Sequence, residues 1–242
     1  IGQAVHRHGG LLCIDGIQAV GALKIDLADS PIDVLACGGY KWLCGPVGTG
    51  FAYVRPDRAA ELVPPTGTYK NLSDDWDRRV QGAIRAATPY PDRGARLAGD
   101  RRRFETPKPS PILYSGLAAS LRLIALVGVE RIEARIRTLV TRFQGALADR
   151  GVPVLYPIDP QHRSGIVSVA VPVGTEDPSR NEAIEEHLRN LRVLAQVRAG
   201  GLRFAIHAFN TEEEVDMAAE AARELRKWLN GETGGHRPDR RG

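Results

Sequence analysis

The feature that most constrains this chain is a lysine, Lys41, that follows a short apolar run and precedes a glycine-rich turn. The apolar run is Val34 to Cys37, and Gly38-Gly39-Tyr40 separates it from the lysine. A second apolar run, Leu11 to Ile14, ends in Asp15. Apolar runs of this length predict parallel strands that are covered on both faces. Ligands of α/β sheets bind at the carboxyl ends of such strands, so Lys41 and Asp15 are candidate site residues.

The chemistry that these two residues favour is covalent catalysis on a carbonyl group. An amine beside an apolar wall loses its proton more easily, because burial disfavours the charged form. Such a lysine can form a Schiff base with the aldehyde of pyridoxal 5'-phosphate (PLP). Asp15 would keep the pyridine nitrogen protonated, and Gln18 could donate to the phenolate oxygen. The alternatives are a solvent-exposed lysine and an aspartate that caps a following helix.

Glycines on both sides of Lys41 indicate a backbone that can approach a phosphate closely. Gly38 and the phenol of Tyr40 precede the lysine, and a run from Gly45 to Gly50 follows it. This run lacks the Gly-Lys-Ser/Thr ending of a P-loop, which argues against nucleotide hydrolysis. Gly48 to Val54 is predicted to be a third strand, and a tight turn into it is the structural alternative for these glycines.

Near the C-terminus, Arg203 interrupts the apolar run Leu202 to Ile206. An inward-facing arginine on a strand requires a carboxylate or phosphate partner. That partner is either an acid of the chain itself or an anionic ligand. Directly after the strand, Thr211 and Glu214 have the spacing of a helix N-cap with a capping-box acid.

Composition excludes several classes of function. The net charge of +4 is small, and basic residues alternate with acidic ones, so nucleic acid is not an expected partner. The three cysteines lie in or beside apolar runs without metal-binding spacing, which predicts reduced thiols, no metal site and a cytoplasmic location. No apolar stretch has the length of a membrane span.

The order of patterns predicts two α/β parts joined by a helical segment. We expect residues 1–111 to be the end of a large domain, 112–128 a connecting helix, 129–229 a small α+β domain and 230–242 a disordered tail. Within the first part, Ile25-Asp26-Leu27 is expected to be extended and Pro64 to Arg103 to be irregular. Further predicted elements are helices at 1–8, 129–150, 180–191 and 211–228 and strands at 152–156, 165–171 and 202–206.

Four stretches, in order along the chain, resemble the class V aminotransferase family, which includes cysteine desulfurases, kynureninase and isopenicillin-N epimerase-like proteins. The stretches are His8 to Ala19, Gly39 to Gly50, Arg103 to Pro107 and Arg203 to Asp216. The resemblance implies the PLP-dependent transferase fold of type I: a mostly parallel large-domain sheet, here partial, followed by a small C-terminal α+β domain. It also implies an amino-acid substrate and, for the complete protein, a homodimer.

The resemblance assigns a role to each candidate residue. Lys41 would bind PLP covalently and later move the proton on the substrate's Cα. Asp15 would pair with the pyridine nitrogen, Gln18 with the phenolate oxygen, and Tyr40 with the phosphate, beside Gly38. Thr49 would reach a phosphate across the dimer interface. Arg203 would bind the substrate's α-carboxylate.

Two departures from the family pattern narrow these expectations. The segment before Arg203, Gln196 to Gly201, has no cysteine to carry a persulfide, so a lyase, epimerase or transaminase is favoured over a desulfurase. The chain begins with Ile1, and the family's upstream segment, on the order of 100 residues, is expected to be missing. A truncated, non-catalytic fragment or interaction module is therefore the alternative to an enzyme.

Overall fold

The computed structural model describes residues 1–64, 71–86, 96–105, 109–155, 159, 162–170, 178–198 and 200–231. The chain divides into two units. The first comprises Ile1–Val20 and Ile25–Ile124, and the second comprises Gly21–Lys24 and Ala125–Gly242. The boundary at 124–125 falls inside the segment expected to connect two domains, and the finer domain borders stay a prediction. The expected tail lies outside the described residues from 232 onward.

The described residues of the first unit form a three-stranded sheet, with one helix before it and two after it in the chain. Its elements are α1 (Gly2–Arg7), β1 (Cys13–Asp15), β2 (Val34–Gly38), β3 (Gly50–Val54), α2 (Asp74–Ala86), a 3-10 turn (Arg101–Phe104) and α3 (Pro111–Val127), whose last three residues belong to the second unit.

The sheet of the first unit has the order β1-β2-β3. Strands β1 and β2 are parallel, with Asp15 opposite Ala36, whereas β3 runs antiparallel to β2. Leu35 and Cys37 point to the covered face and pack with Leu117 of α3. The other face is open and carries the small or polar residues Cys13, Asp15, Ala36 and Ala52. The prediction that both faces of β1 are covered is therefore wrong.

The second unit is built from α4 (Val129–Asp149), β4 (Ile166–Val169), α5 (Pro178–Asn190), β5 (Gln196–Arg198), β6 (Gly201–Ala205) and α6 (Glu212–Asn230). Its sheet has the order β4-β6-β5, and both pairs are antiparallel. Phe143 of α4 contacts Phe204 of β6 edge to face, with ring centroids 4.9 Å apart. Helix α6 begins with the predicted capping box, because Thr211 and Glu214 exchange hydrogen bonds with each other's backbone N–H.

The α/β unit followed by a small α+β unit agrees with the predicted fold class, but two local predictions are wrong and one strand was missed. Residues 25–27, predicted to be extended, join no sheet, and Ile25 and Leu27 pack against the core. The region 64–103 contains helix α2. In place of a strand at 152–156, Val154 forms an isolated bridge to Val169, with 156 outside the described residues. Strand β5 was not predicted.

Among the described residues, no single helix has both the length and the apolar character needed to cross a membrane. Helix α3 meets the criterion only when it is counted together with α4, and a break at Gly128 separates the two.

Candidate functional site

Asp15 lies at the carboxyl end of β1, where the chain turns sharply. The N–H of Gly16 donates to the carbonyl oxygen of Ala36 on β2 at 2.7 Å, which extends the parallel pairing by one residue. The Oδ1 atom of Asp15 accepts from the N–H of Ile17 at 3.0 Å. This bond fixes the orientation of the carboxylate, which is exposed and has a second oxygen available for a ligand.

Lys41 lies in a loop that closes on itself directly after β2. The N–H of Gly45 donates to the carbonyl of Gly39 at 2.7 Å, and the N–H of Cys44 donates to the carbonyl of Lys41 at 2.9 Å. Cys44 has a φ of 51°, a left-handed conformation that is unusual outside glycine. Lys41 is half-buried, and within the described ranges its ammonium has no carboxylate in ion-pair distance. The loop thus holds an amine that no salt bridge occupies.

A hydrogen bond connects the turn after β1 with the loop after β2. The indole Nε1–H of Trp42 donates to Oε1 of Gln18 at 3.1 Å, and Trp42 is only 5% exposed. An indole N–H is a donor only, so it must face the amide oxygen of Gln18. The amide nitrogen of Gln18 is then the end that can donate to a ligand. Sequence reasoning gave Trp42 no role, although a donor beside Lys41 was visible.

The glycines around Lys41 are needed for close packing. A Cβ on Gly38 would lie 2.9 Å from Cδ1 of Ile17 and 3.0 Å from Cε1 of Tyr40, and one on Gly39 would lie 2.4 Å from Oγ1 of Thr49. The hydroxyl of Thr49 is buried and donates to the carbonyl of Pro46 at 2.6 Å. Thr49 thus supports the loop from inside, whereas the ring of Tyr40 is 46% exposed.

Helix α3 supports the loop from behind, which sequence reasoning also missed. Leu117 lies within contact distance of the Cα hydrogens of Gly39 and Gly45, and the hydroxyl of Ser120 donates to the carbonyl of Leu43. These helix residues are three positions apart and therefore share one face. The clue in the sequence was a small polar residue, Ser120, within a mostly apolar helix.

At the opposite end of the strands, a fully buried carboxylate ties three segments together. Asp33 accepts from Nε2 of His6 and from the N–H of Leu12, both at 2.7 Å, and from the guanidinium of Arg55. Burial acts to raise the pKa of Asp33, but the bonds from Leu12, His6 and Arg55 outweigh it and hold the pKa below its usual value. This network anchors β1, β2 and the end of β3, so it fixes the strands whose other ends carry Asp15 and Lys41.

The structure thus gathers six of the seven predicted site residues in the first unit, at the ends of β1 and β2 and in the loop that follows. These are Asp15, Gln18, Gly38, Tyr40, Lys41 and Thr49. The pKa of the Cys37 thiol is raised mainly by its burial, and the negative charge of Asp15 raises it further. Asp15 therefore also acts electrostatically on the end of β2.

The seventh residue, Arg203, belongs to β6 in the second unit. Its neighbours across the sheet are Ser168 on β4 and Gln196 on β5. The Nη2 atom of Arg203 donates to Oε1 of Gln196 at 2.6 Å, and within the described segments no carboxylate forms an ion pair with it. The neutral amide orients the guanidinium without cancelling its positive charge.

Comparison with known proteins gives one family. The model of Aminotransferase class-V matches residues 1–217. Isopenicillin N epimerase of Amycolatopsis lactamdurans is 30% identical over 229 residues, which are 93% of this chain and 55% of that protein. A probable cysteine desulfurase of Pyrococcus abyssi is 27% identical over 237 residues, 95% of this chain and 55% of that protein. The chain therefore spans about half the length of these relatives.

Solved structures agree with these sequence matches. The apo cysteine desulfurase of Thermococcus onnurineus NA1 superposes with a TM-score of 0.76 at 24% identity, over 93% of this chain and 55% of that one. A C-DES variant with glycine covalently linked to its PLP cofactor superposes with a TM-score of 0.74 at 25% identity, over 92% of this chain and 55% of that one.

Proposed function

The chain belongs to the class V aminotransferase family, and from this premise we propose that its residues form part of a PLP-dependent enzyme that acts on an amino acid. PLP is the cofactor of this family. The observation that carries the proposal is the parallel pairing of β1 with β2. It places the turn with Asp15 and Gln18 beside the loop with Lys41, and the Gln18–Trp42 bond joins the two.

The residues present fit the cofactor's chemistry. When bound, PLP supplies an aldehyde that reacts with amines and a pyridine ring that withdraws electrons from the substrate's Cα. The exposed carboxylate of Asp15 would keep a proton on the ring nitrogen, and the amide N–H of Gln18 would donate to the phenolate oxygen. Gly38 and Tyr40 would bind the phosphate, whereas the buried hydroxyl of Thr49 donates to the carbonyl of Pro46 and supports the loop.

Lys41 is proposed to act twice, as the amine that bonds to the cofactor and as the base that takes the proton from the substrate's Cα. Its half-buried position limits access of water, and the backbone hydrogen bonds of the loop fix the main chain from which the lysine side chain extends. No carboxylate in the described residues forms an ion pair with Lys41. The amine can therefore react without first breaking a salt bridge to one of these residues.

Arg203 is proposed to bind the α-carboxylate of the amino acid through a forked pair of hydrogen bonds. Gln196 would keep the guanidinium oriented. Transamination, elimination and epimerisation all begin with removal of the Cα proton, so this first step needs the same residues in each. Sulfur transfer to a protein thiol is disfavoured, because the segment from Gln196 to Arg203 contains no cysteine. A cytoplasmic enzyme is the setting that reduced cysteines favour.

The experiment is covalent trapping of the cofactor on the 242-residue chain. PLP is added, the bond is reduced with borohydride, and peptide mass spectrometry locates the pyridoxyl group. We expect it on Lys41, with a visible absorbance that Lys41→Ala abolishes. Lys24→Ala is the matched control, since Lys24 is exposed and ion-paired with Glu130.

Two outcomes would contradict the proposal. One is a label spread over exposed lysines and unchanged by Lys41→Ala, which would favour a non-catalytic fragment. The other is an unaltered affinity for PLP in Asp15→Asn, a variant that keeps the shape of the side chain and removes its charge.

A further inference from the structure

The open face of the second sheet carries two arginines and no acid. Strand residues alternate between faces, so Gln196, Arg198, Arg203 and Ser168 share the face opposite to half-buried Val197 and buried Leu202 and Phe204. The remaining positions on this face are Ile166, Gly201 and Ala205. The face therefore has two positive charges and, within the strands, nothing to neutralise them.

The two arginines are diagonal neighbours on adjacent strands. Arg198 lies opposite Gly201, which is two residues before Arg203 on the same strand. Diagonal neighbours are about 7–8 Å apart, so the two guanidinium groups can converge on one small molecule. Arg198 is exposed and has neither a hydrogen bond nor an ion pair with any described residue.

Position 201, between the arginines, is closed to any side chain. A Cβ on Gly201 would lie 2.8 Å from the carbonyl oxygen of Val169 and 2.2 Å from Cδ1 of Leu155. Gly201 is itself buried, because the side chain of Leu155 covers it on this face. A leucine methyl group therefore lies between Arg198 and Arg203, where it can contact the methylene groups of a short ligand whose ends are charged.

Arginines on the helices of the same unit differ sharply from this pair. Arg142 forms a fork with Asp216, with bonds of 2.9 and 2.6 Å. Arg223 and Arg150 both bind Glu220 and together lower the pKa of its carboxyl to about 2. Those arginines are satisfied by the protein, whereas Arg198 and Arg203 still have their charge available for an external anion.

We propose that Arg198 and Arg203 together select a substrate with two acidic groups, an amino dicarboxylic acid such as glutamate or aspartate. Arg203 binds the α-carboxylate, as in the proposed function on which this inference rests, and Arg198 binds the acid of the side chain. Arg198 is thus a specificity residue, which discriminates against neutral amino acids of the same size.

The test compares L-glutamate with L-glutamine, which has the same shape and a neutral side chain. Binding to the 242-residue chain is measured by calorimetric titration for the wild type, Arg198→Gln, Arg203→Gln and Arg189→Gln. Arg189 is an exposed arginine of α5, so its variant is a control for loss of one positive charge.

We expect glutamate to bind the wild type about tenfold more tightly than glutamine, since one charge-assisted contact is worth about that factor. Arg198→Gln should abolish the difference, Arg198→Lys should retain part of it, and Arg203→Gln should weaken both ligands. Absence of saturable glutamate binding, or a preference that Arg198→Gln and Arg189→Gln reduce equally, would overturn the inference.

This outcome is independent of the trapping experiment on Lys41. If Lys41 takes no pyridoxyl group but the preference for glutamate depends on Arg198, the proposed function fails and the anion site stands. If Lys41 is labelled but Arg198→Gln leaves the preference for glutamate unchanged, the proposed PLP enzyme is supported and the role of Arg198 in specificity is refuted.

Discussion

The two three-stranded sheets of this chain each pack one face against their own unit, and their other faces have opposite character. The open face of the first sheet carries Cys13, Ala36 and Ala52 together with Asp15, whereas the second presents Gln196, Arg198 and Arg203. A face of small apolar residues becomes more stable when another surface covers it, while a charged face is stable in water.

The cores beneath the sheets differ as well. Twelve large side chains among the described residues are essentially inaccessible, and Leu35 is the only one of them in the first unit. The other eleven lie on the helices, strands and turns of the second unit. The unit that carries Lys41 therefore has less apolar burial to stabilise it, and it also contains the buried carboxylate of Asp33, which depends on its bonds to Arg55, His6 and Leu12.

Loss of a core ring should be most costly in the second unit. Phe143→Ala removes a fully buried aromatic side chain that contacts Phe204, and we expect it to lower the free energy of unfolding by about 3–5 kcal/mol. Leu35→Ala in the first unit should cost about 2–3 kcal/mol, because its smaller cluster can collapse around the cavity. Hydrogen exchange followed by mass spectrometry reports each unit separately. A larger loss for Leu35→Ala would refute the contrast between the cores.

The first unit should depend strongly on Asp33. Asp33→Asn leaves Arg55 and His6 without their carboxylate, and we expect a loss of about 2–3 kcal/mol in the stability of this unit. Asp29→Asn, at an exposed position in the loop before β2, is the control and should be neutral. Urea unfolding of both variants gives the comparison. Equal stability of the two variants would show that the carboxylate of Asp33 does not stabilise the first unit.

The bond between Gln18 and Trp42 should have a smaller effect on stability than on the site. Trp42→Phe keeps the ring and removes the indole donor, so we expect a loss of about 1 kcal/mol. A double-mutant cycle with Gln18→Ala should recover most of this value as coupling energy. PLP affinity should fall in both single variants, because the amide of Gln18 is no longer fixed. Strictly additive effects would show that the bond does not connect the two loops.

The smallest predicted effect is a difference in pH dependence between the units. Burial lowers the pKa of His187, which stacks on Trp228 in the second unit. The folded state therefore binds a proton at His187 less readily than the unfolded state does. The stability that follows from this difference is present above the ordinary pKa of about 6.5, and it is lost as the pH falls through the lowered value. His187→Phe keeps the stacked ring and should flatten this profile.

The first unit should respond only in stronger acid. The pKa of Asp33 lies below its usual 3.8, so the stability that it contributes is present above that value and is lost as the pH falls through the lowered one. Hydrogen exchange at mildly acidic pH should therefore show weaker protection in the second unit alone. Equal loss of protection in both units at that pH would contradict the assignment to His187.

Local patterns in the sequence were sufficient to predict where the chemistry lies. An apolar run that ends in Asp15 and another that leads to Lys41 define two strand ends, and β1 and β2 are neighbours. The capping box at Thr211 was equally local. These features depend on residues within a few positions of one another, which is the range over which periodicity and capping act.

What the sequence did not reveal depends on contacts between distant positions. The antiparallel direction of β3 and the open face of β1 are set by tertiary packing, and the bond between Gln18 and Trp42 joins residues 24 positions apart. Strand β5 has only three residues, of which two are polar, so it gave no periodic pattern. Helix α2 was missed because a Pro-, Gly- and charge-rich region surrounds it.

The network around Asp33 also has a consequence for the order in which the first unit can be made. Its carboxylate is fully buried, yet its arginine partners, Arg55 and Arg58, come more than twenty residues later in the chain. During synthesis, docking of β2 against β1 before these residues emerge would bury a carboxylate with only His6 and one backbone N–H to stabilise it. We therefore expect the nascent sheet to close only after β3 has left the ribosome, so that the strand ends bearing Asp15 and Lys41 become ordered together.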